Sequence, residues 1–335
     1  MPRDDPEDDE APLSAWKGLA RDLLVAGLIV AIFLAAMYAY AGTWPPLVVV
    51  ESCSMQHSGD PSCRNSESSL GVIDTGDMVF QQAAPTRSSV TTYVEGRGSG
   101  YSTYGDYGDV IIFNRPGNPT PVIHRPILYV TVYMDGTADA LDIGNPSFRD
   151  WEATNSTGPT TDPHHLLTLT IHRMGFGGDL GITFNFPRDF ARFAPRSGYI
   201  TMGDHNAYAY CSIRKDPCQG TVPYDTQWMP QQPDVLGRAR GELPWFGLLK
   251  LMLQPTDSCC PGGWGDSAAP NNSWNALLVS LIFLLALPFL LEIAGRAWTK
   301  YVGPHLPEIR WPWRRKARTS KDDRRDGDEP GRRAR

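Results

Sequence analysis

The chain has 335 residues, a formal net charge of −6, 32 glycines, 29 prolines and six cysteines. That length allows one or two globular units besides any membrane segments, and the wealth of turn formers favours a β-rich body over a helical bundle. Six cysteines are too few for a fold built on disulfides.

The charge changes sign along the chain. Residues 1–22 form an acidic N-terminal tail, and the charged, Pro-containing stretch 1–14 is predicted to be disordered. A helix is predicted from near Ala15 into the apolar span Leu23–Gly42, which is long enough to cross a membrane. No small-residue cleavage pattern with a polar boundary follows it, so an uncleaved anchor is expected. Just outside the span lies Val48-Val49-Val50-Glu51-Ser52-Cys53-Ser54-Met55, read as a strand that carries Ser52 and Ser54 on one side. A serine pair alone is a weak signal. Its position beyond a membrane exit suits it to act on something emerging from that membrane.

Residues 43–273 read as a mainly β domain. Asp77–Phe80, Asp109–Phe113, Ile127–Tyr133 and Leu166–Ile171 are predicted strands, separated by Gly, Pro, Asn and Asp turns. Two polar stretches, Gln81–Tyr107 and Asp135–Pro163, exceed ordinary loop length and are read as insertions near 81–107 and within 135–196. Residues 44–273 carry 23 acids against 15 bases, which suggests a salt-adapted surface. All six cysteines fall between the two apolar spans, as expected outside the cytoplasm, with Cys53–Cys63 and Cys211–Cys218 as plausible bridges. No cysteine pair has a histidine at zinc-ligand spacing, so no metal or other cofactor is implied. Asn155-Ser156-Thr157 and Asn271-Asn272-Ser273 are glycosylation sequons.

A second span, Trp274–Ile293, contains Pro288 and leads into a basic tail, residues 294–335. Lys17 and Arg21 precede the first span, and Arg296, Lys300, Arg310, Arg314, Arg315, Lys316 and Arg318 follow the second. The positive-inside rule puts both termini in the cytoplasm and residues 43–273 outside, in a two-span protein of the cell membrane. Beside a membrane helix the basic tail reads as a topology signal or a contact with anionic lipid, not as a nucleic-acid arm.

A serine hydroxyl becomes a nucleophile only when a base removes its proton. Between the spans lie two lysines, Lys215 and Lys250, and neither follows a strand that would aim it at Ser54. Of the histidines, His124 has strand context in Pro121-Val122-Ile123-His124-Arg125-Pro126-Ile127. His164 and His165 are placed in a loop and His172 at a strand end. His57, three residues from Ser54, is expected to point elsewhere. Asp204, in Gly203-Asp204-His205-Asn206 at a predicted strand end, is placed to orient an imidazole, although an Asp in such a turn commonly caps its own backbone.

The order Ser54-Met55, Gly76-Asp77-Met78-Val79, Gly108-Asp109-Val110-Ile111, Ile123-His124-Arg125 and Gly203-Asp204-His205-Asn206 resembles the type I signal peptidases. It is similar to their archaeal and endoplasmic-reticulum branch, whose base is histidine. The segment Val235–Ala239 followed by Pro244–Gly247 also looks like that family's return toward the membrane, and the acidic surface suggests a haloarchaeal member. The likeness covers residues 16–130 and 198–250 with interruptions. It implies a signal-peptidase-like β domain with loop insertions, flanked by two transmembrane helices. It further implies Ser54 as nucleophile, His124 as general base, and an oxyanion hole from the Ser54 backbone N–H and the Ser52 hydroxyl. The implied partners are signal-peptide-bearing preproteins, membrane lipid and the translocation channel.

Three departures stand out. Gln56-His57 replaces the expected x-Pro after the Ser-Met pair, and His205 replaces an Asn. Tyr210 stands where the family has a second aspartate. An inserted loop bounded by Cys211 and Cys218 would move that carboxylate to Asp225, which then orients His124 while Asp204 supports it; otherwise Asp204 orients the base alone. Two rivals remain at this point: a catalytically inactive relative serving as a surface binding module, and a narrow-specificity processing peptidase for surface subunits.

Overall fold

The structure is a computed structural model that describes residues 11–60, 63, 67–211, 214–256, 259–260, 263, 265 and 267–302. Most of the predicted N-terminal disorder (residues 1–10) and most of the basic tail (303–335) lie outside the described residues. The first helix, α1 (Ala11–Ala41), carries Arg21 and Asp22 near its start and is apolar from Leu23 to Ala41; its Gly18–Ala41 stretch is long and apolar enough to cross a membrane. It stops at Gly42, whose positive φ of 64° and N–H bond to the Tyr38 carbonyl form a left-handed C-terminal cap.

The body then unfolds in chain order as short strands. They are β1 (Leu47–Val49) and β2 (Met78–Gln82), the helix α2 (Tyr93–Ser99), then β3 (Ser102–Thr103), β4 (Asp106–Tyr107), β5 (Ile111–Phe113), β6 (Val122–Val132) and β7 (Ala138–Asp139). Next come β8 (Trp151–Asn155), β9 (Gly158–Thr160), β10 (Thr168–Met174), β11 (Leu180–Asn185) and α3 (Phe186–Asp189). The body ends with β12 (Arg196–Met202), α4 (Asp204–Tyr210), β13 (Arg214–Lys215), β14 (Cys218–Gln219), β15 (Val235–Leu243) and α5 (Leu248–Leu253). A second long apolar helix, α6 (Asn271–Ala297), carries Pro288 and is also long enough to cross a membrane. The chain divides after Ser280, so α6 starts in the first unit and supplies the second.

The main sheet has the order β1-β2-β15-β5-β6-β12, with β7 paired to β6, and every ladder is antiparallel. Its longest strand, β6, starts five residues before the predicted one because it absorbs Pro126 at a bulge. The register with β12 slips between Ile200 and Thr201, opposite Leu128 and Pro126, which leaves Ile127 as the extra residue. A bulge tolerates a strand residue without an N–H and shifts which face its neighbours occupy. Thus Ile127 and Leu128 are both buried in sequence, and so is Arg125.

Both predicted loop insertions are structured instead. Within 81–107, Thr92 and Glu95 form a reciprocal capping box that starts α2, and Gly100 ends it. The stretch 135–163 supplies β8 and β9, which join β10 and β11 in a second antiparallel sheet of order β11-β10-β8-β9. One face of that sheet (Ala153, Leu169, Ile171, Ile182, Phe184) is buried with Ile127, Leu128, Val130, Val132 and Ile200 of the main sheet. The other face carries Thr154, Thr168, Thr170 and Thr183, whose hydroxyls pair across strands. This inward-apolar, outward-polar alternation is that of a half-solvated antiparallel sheet. The predicted serine-bearing strand also shortens: β1 ends at Val49, and Ser52–Met55 form a bend and turn.

The cysteines pair as Cys53–Cys63, Cys211–Cys218 and Cys259–Cys260. The first two match expectation; the third joins neighbours in sequence. Of the sequons, Asn155 sits in the β8–β9 turn and accepts from the Thr157 N–H and hydroxyl, whereas Ser273 of the second is buried.

Phe184→Ala, which empties a fully buried ring site between the sheets, should cost about 3–5 kcal/mol in urea unfolding in detergent. Thr183→Ala on the outer face should stay within about 0.5 kcal/mol of wild type.

Candidate active site

The turn after β1 is fixed from below. Val50 exchanges backbone bonds with Asp77 and Gly76, and Met55 is buried in a small core with Val50, Ile73, Val79, Val110 and Ala239. The Gln56 side chain accepts from the backbone N–H and hydroxyl of Thr75, and the Cys53–Cys63 disulfide closes the loop. Ser54 is left half-buried at the top. The Ser52 hydroxyl donates to the Ser54 Oγ at 3.4 Å, and the Ser54 N–H has no acceptor among the described residues.

Against this turn lies the end of β12. A Cβ at Gly203 would fall 2.3 Å from the Ser54 carbonyl oxygen, so only glycine permits the approach. The His205 N–H donates to that same oxygen at 3.0 Å. His124 reaches the same place from β6: it pairs with Ile111 of β5 and directly precedes Arg125, which lies opposite Met202. Asp225 follows Tyr224, which bridges Met202, and its N–H donates to the Thr201 carbonyl at 2.9 Å. The backbone therefore brings Asp225 and Arg125, the residue after His124, to the last two residues of β12, and Ser54 to Gly203 and His205 just beyond them.

Their side chains are not yet joined. No hydrogen bond links Ser54 to His124 or His124 to Asp225, and the His124 Nδ1 is buried without a partner. Burial lowers the His124 pKa, opposed first by the charge of Asp225 and then by that of Asp204. The Asp225 Oδ1 accepts from the backbone N–H groups of Gln227 and Trp228, and its Oδ2 lies 3.8 Å from Arg115 Nη1.

Asp204 has other partners. Arg125 grips it through two bonds, Nε to Oδ1 at 2.9 Å and Nη2 to Oδ2 at 2.6 Å, and His57 Nε2 meets Oδ2 at 3.1 Å. Burial would raise the Asp204 pKa, but the guanidinium outweighs it and holds the carboxyl at about 2. Sequence reasoning overlooked both partners. Arg125 stands in the His-Arg pair without a role assigned, and His57 points into the site rather than away from it. Cys53, Cys63 and His205 also come close together, but both sulfurs are spent in a disulfide and are no thiolate ligands. No family model matches the chain, and no curated protein matches it.

Arg125→Met should cost about 3–5 kcal/mol at neutral pH, because it leaves a buried carboxylate without its guanidinium. In the wild type, the stability that this depressed carboxyl contributes is present above about pH 4 and is lost as pH falls toward 2. The gap between the two proteins should therefore narrow over that window in unfolding measured against pH.

Proposed function

We propose that the protein is a membrane-anchored serine endopeptidase that removes signal peptides from exported preproteins, akin to the Ser–His branch of the type I signal peptidases. The observation that supports this reading is that the backbone of the Ser54 turn, of the strand that carries His124 and of Asp225 converges on residues Thr201–His205, in a body that follows a membrane-length helix.

In this reading the Ser54 Oγ attacks the scissile carbonyl while His124 takes its proton. The N–H of Ser54, which has no acceptor among the described residues, and the Ser52 hydroxyl would meet the developing oxyanion, each donor worth about 3 kcal/mol. His124 returns the proton to the departing amine, and water activated by the same imidazole then releases the acyl group. A His124 held neutral by burial is in the state a base requires. Asp225 is the carboxylate assigned to orient it, and catalytic hydrogen bonds of this kind tighten as substrate fills the site.

Placement at a membrane has its own support. Trp44, Leu249, Met252 and Leu253 are exposed apolar side chains just after α1 and on α5, and Lys250 of α5 pairs with Glu51 of the serine turn at 2.6 Å. Both termini are assigned to the cytoplasm, with the body outside and in contact with lipid and the translocation channel. Sharing one membrane with the substrate raises the effective concentration.

The unformed Ser54–His124 bond favours a second reading, a catalytically inactive binding module. One assay separates the two: cleavage of a labelled preprotein with an Ala-x-Ala signal peptide, in detergent and high salt. Wild type should cleave it, and Ser54→Ala and His124→Ala should lose at least a thousandfold in rate while remaining folded. Cleavage by Ser54→Ala would sink the peptidase, and a folded but inert wild type would leave the binding module.

The base must be neutral, so activity is present above the His124 pKa and falls as pH drops through it. The acid limb of kcat/KM should lie below the ordinary histidine value of about 6.5. Asp225→Asn removes the charge that raises this pKa most, so it should move the limb to still lower pH.

A further inference from the structure

His57 is built into the molecule from four sides. Its Nε2 meets Asp204 Oδ2 at 3.1 Å, and its side chain is 14% exposed. Its ring lies flat on Phe176, with centroids 4.2 Å apart and planes 14° from parallel. At its edge a Cβ on Gly105 would stand 2.7 Å from Cε1, and Gly105 has a positive φ of 77°. Its own backbone belongs to the turn that carries Ser54. Such a setting leaves the imidazole one orientation.

Phe176 comes from the Gly175–Gly178 tip that joins β10 to β11, far from the serine turn in sequence. Its second aromatic neighbour is Tyr208 of α4, at 4.2 Å. The Tyr208 hydroxyl accepts the Gly177 N–H at 2.6 Å, and Gly178 donates to the Gly175 carbonyl. Phe176 therefore touches one residue from each wall of the candidate site. His57 comes from the serine turn, and Tyr208 comes from the helix that begins with Asp204.

We propose that His57 is a positioning residue that fixes the Ser54 turn against Asp204, and that the tip of the second sheet holds His57 in place through Phe176. The catalytic consequence rests on the peptidase reading given above; the mechanical one does not. Near the nucleophile, the turn is tied to the Gly203–His205 segment by three bonds: His205 N–H to the Ser54 carbonyl, His57 to Asp204, and His205 Nδ1 with the Ser58 carbonyl. Only the His57 bond ends on a side chain that Arg125 immobilises, so it transmits the position of β6, which also carries His124, to Ser54. The second sheet thereby becomes part of the site rather than an appendage.

The test pairs kinetics with hydrogen exchange on the full-length protein in detergent, using wild type, His57→Ala, His57→Gln, Phe176→Ala and Phe176→Tyr. In His57→Ala and Phe176→Ala, backbone amides in 54–60 should exchange at least tenfold faster than in wild type. Amides of β10 should be unchanged, which shows that the fold persists. His57→Gln keeps an N–H for Asp204, and Phe176→Tyr keeps the stacked ring, so both should restore slow exchange. With the labelled preprotein, His57→Ala should lower kcat about 10- to 100-fold, as expected for a nucleophile displaced by a fraction of an ångström to an ångström. KM should stay within about twofold. Unchanged exchange over 54–60 in His57→Ala overturns the proposal, whether or not the protein cleaves anything. An equal loss of kcat in His57→Ala and His57→Gln, with exchange restored in the latter, also overturns the positioning role. An inactive wild type whose 54–60 exchange still responds to His57→Ala removes the peptidase reading and leaves the clamp standing.

Discussion

The arrangement of the body depends on one buried ion pair, Arg125 with Asp204. Both side chains are almost completely enclosed, where an unpaired charge is prohibitive. Arg125 spends its donors on either side. Nε and Nη2 face the carboxylate, and Nη1 faces the carbonyls of Thr103, Asp106, Tyr107 and Gly108. The pair therefore joins β6, the β3–β4 hairpin and the start of α4. Through His57 it also reaches the serine turn. The bulge at Ile127 makes this possible, because it adjusts the register just where Arg125 must turn inward.

Around that pair the two structured insertions have a common purpose. The β3–β4 hairpin supplies the carbonyls that complete the Arg125 shell, and the second sheet supplies Phe176 against His57. Neither contact touches Ser54 itself. Each limits the freedom of a residue, Arg125 or His57, that bonds Asp204 beside the serine turn. Restraint of this sort fixes where Asp204 and the serine turn lie relative to one another.

What the sequence reveals follows from the range of the interactions. The two long apolar helices and the strands at 77–80, 109–113 and 127–133 are legible because periodicity and flanking turn residues act over ten residues or fewer. The Cys53–Cys63 and Cys211–Cys218 bridges close short loops and are legible for the same reason. Of the second sheet, the strand predicted at 166–171 survives as part of β10, whereas β8 and β9 are hidden because they are short, interrupted by Gly158 and Pro159, and faced with threonines that read as loop. The Thr92–Glu95 capping box was a usable signal for α2, masked by the glycines around it. His57 and Asp204 are 147 residues apart, and no local rule pairs them. Ser52 and Ser54 stay on one side of the chain as expected, but a turn brings their hydroxyls together rather than the pleat of a strand.

The central claim is that Ser54 is an activated nucleophile served by His124. Intact-mass analysis after exposure to a serine-directed fluorophosphonate tests it without any assumption about substrate. One adduct per chain, mapped to Ser54 and lost in His124→Ala, is the predicted result. No adduct on folded protein, or one mapped to a different serine, would contradict it.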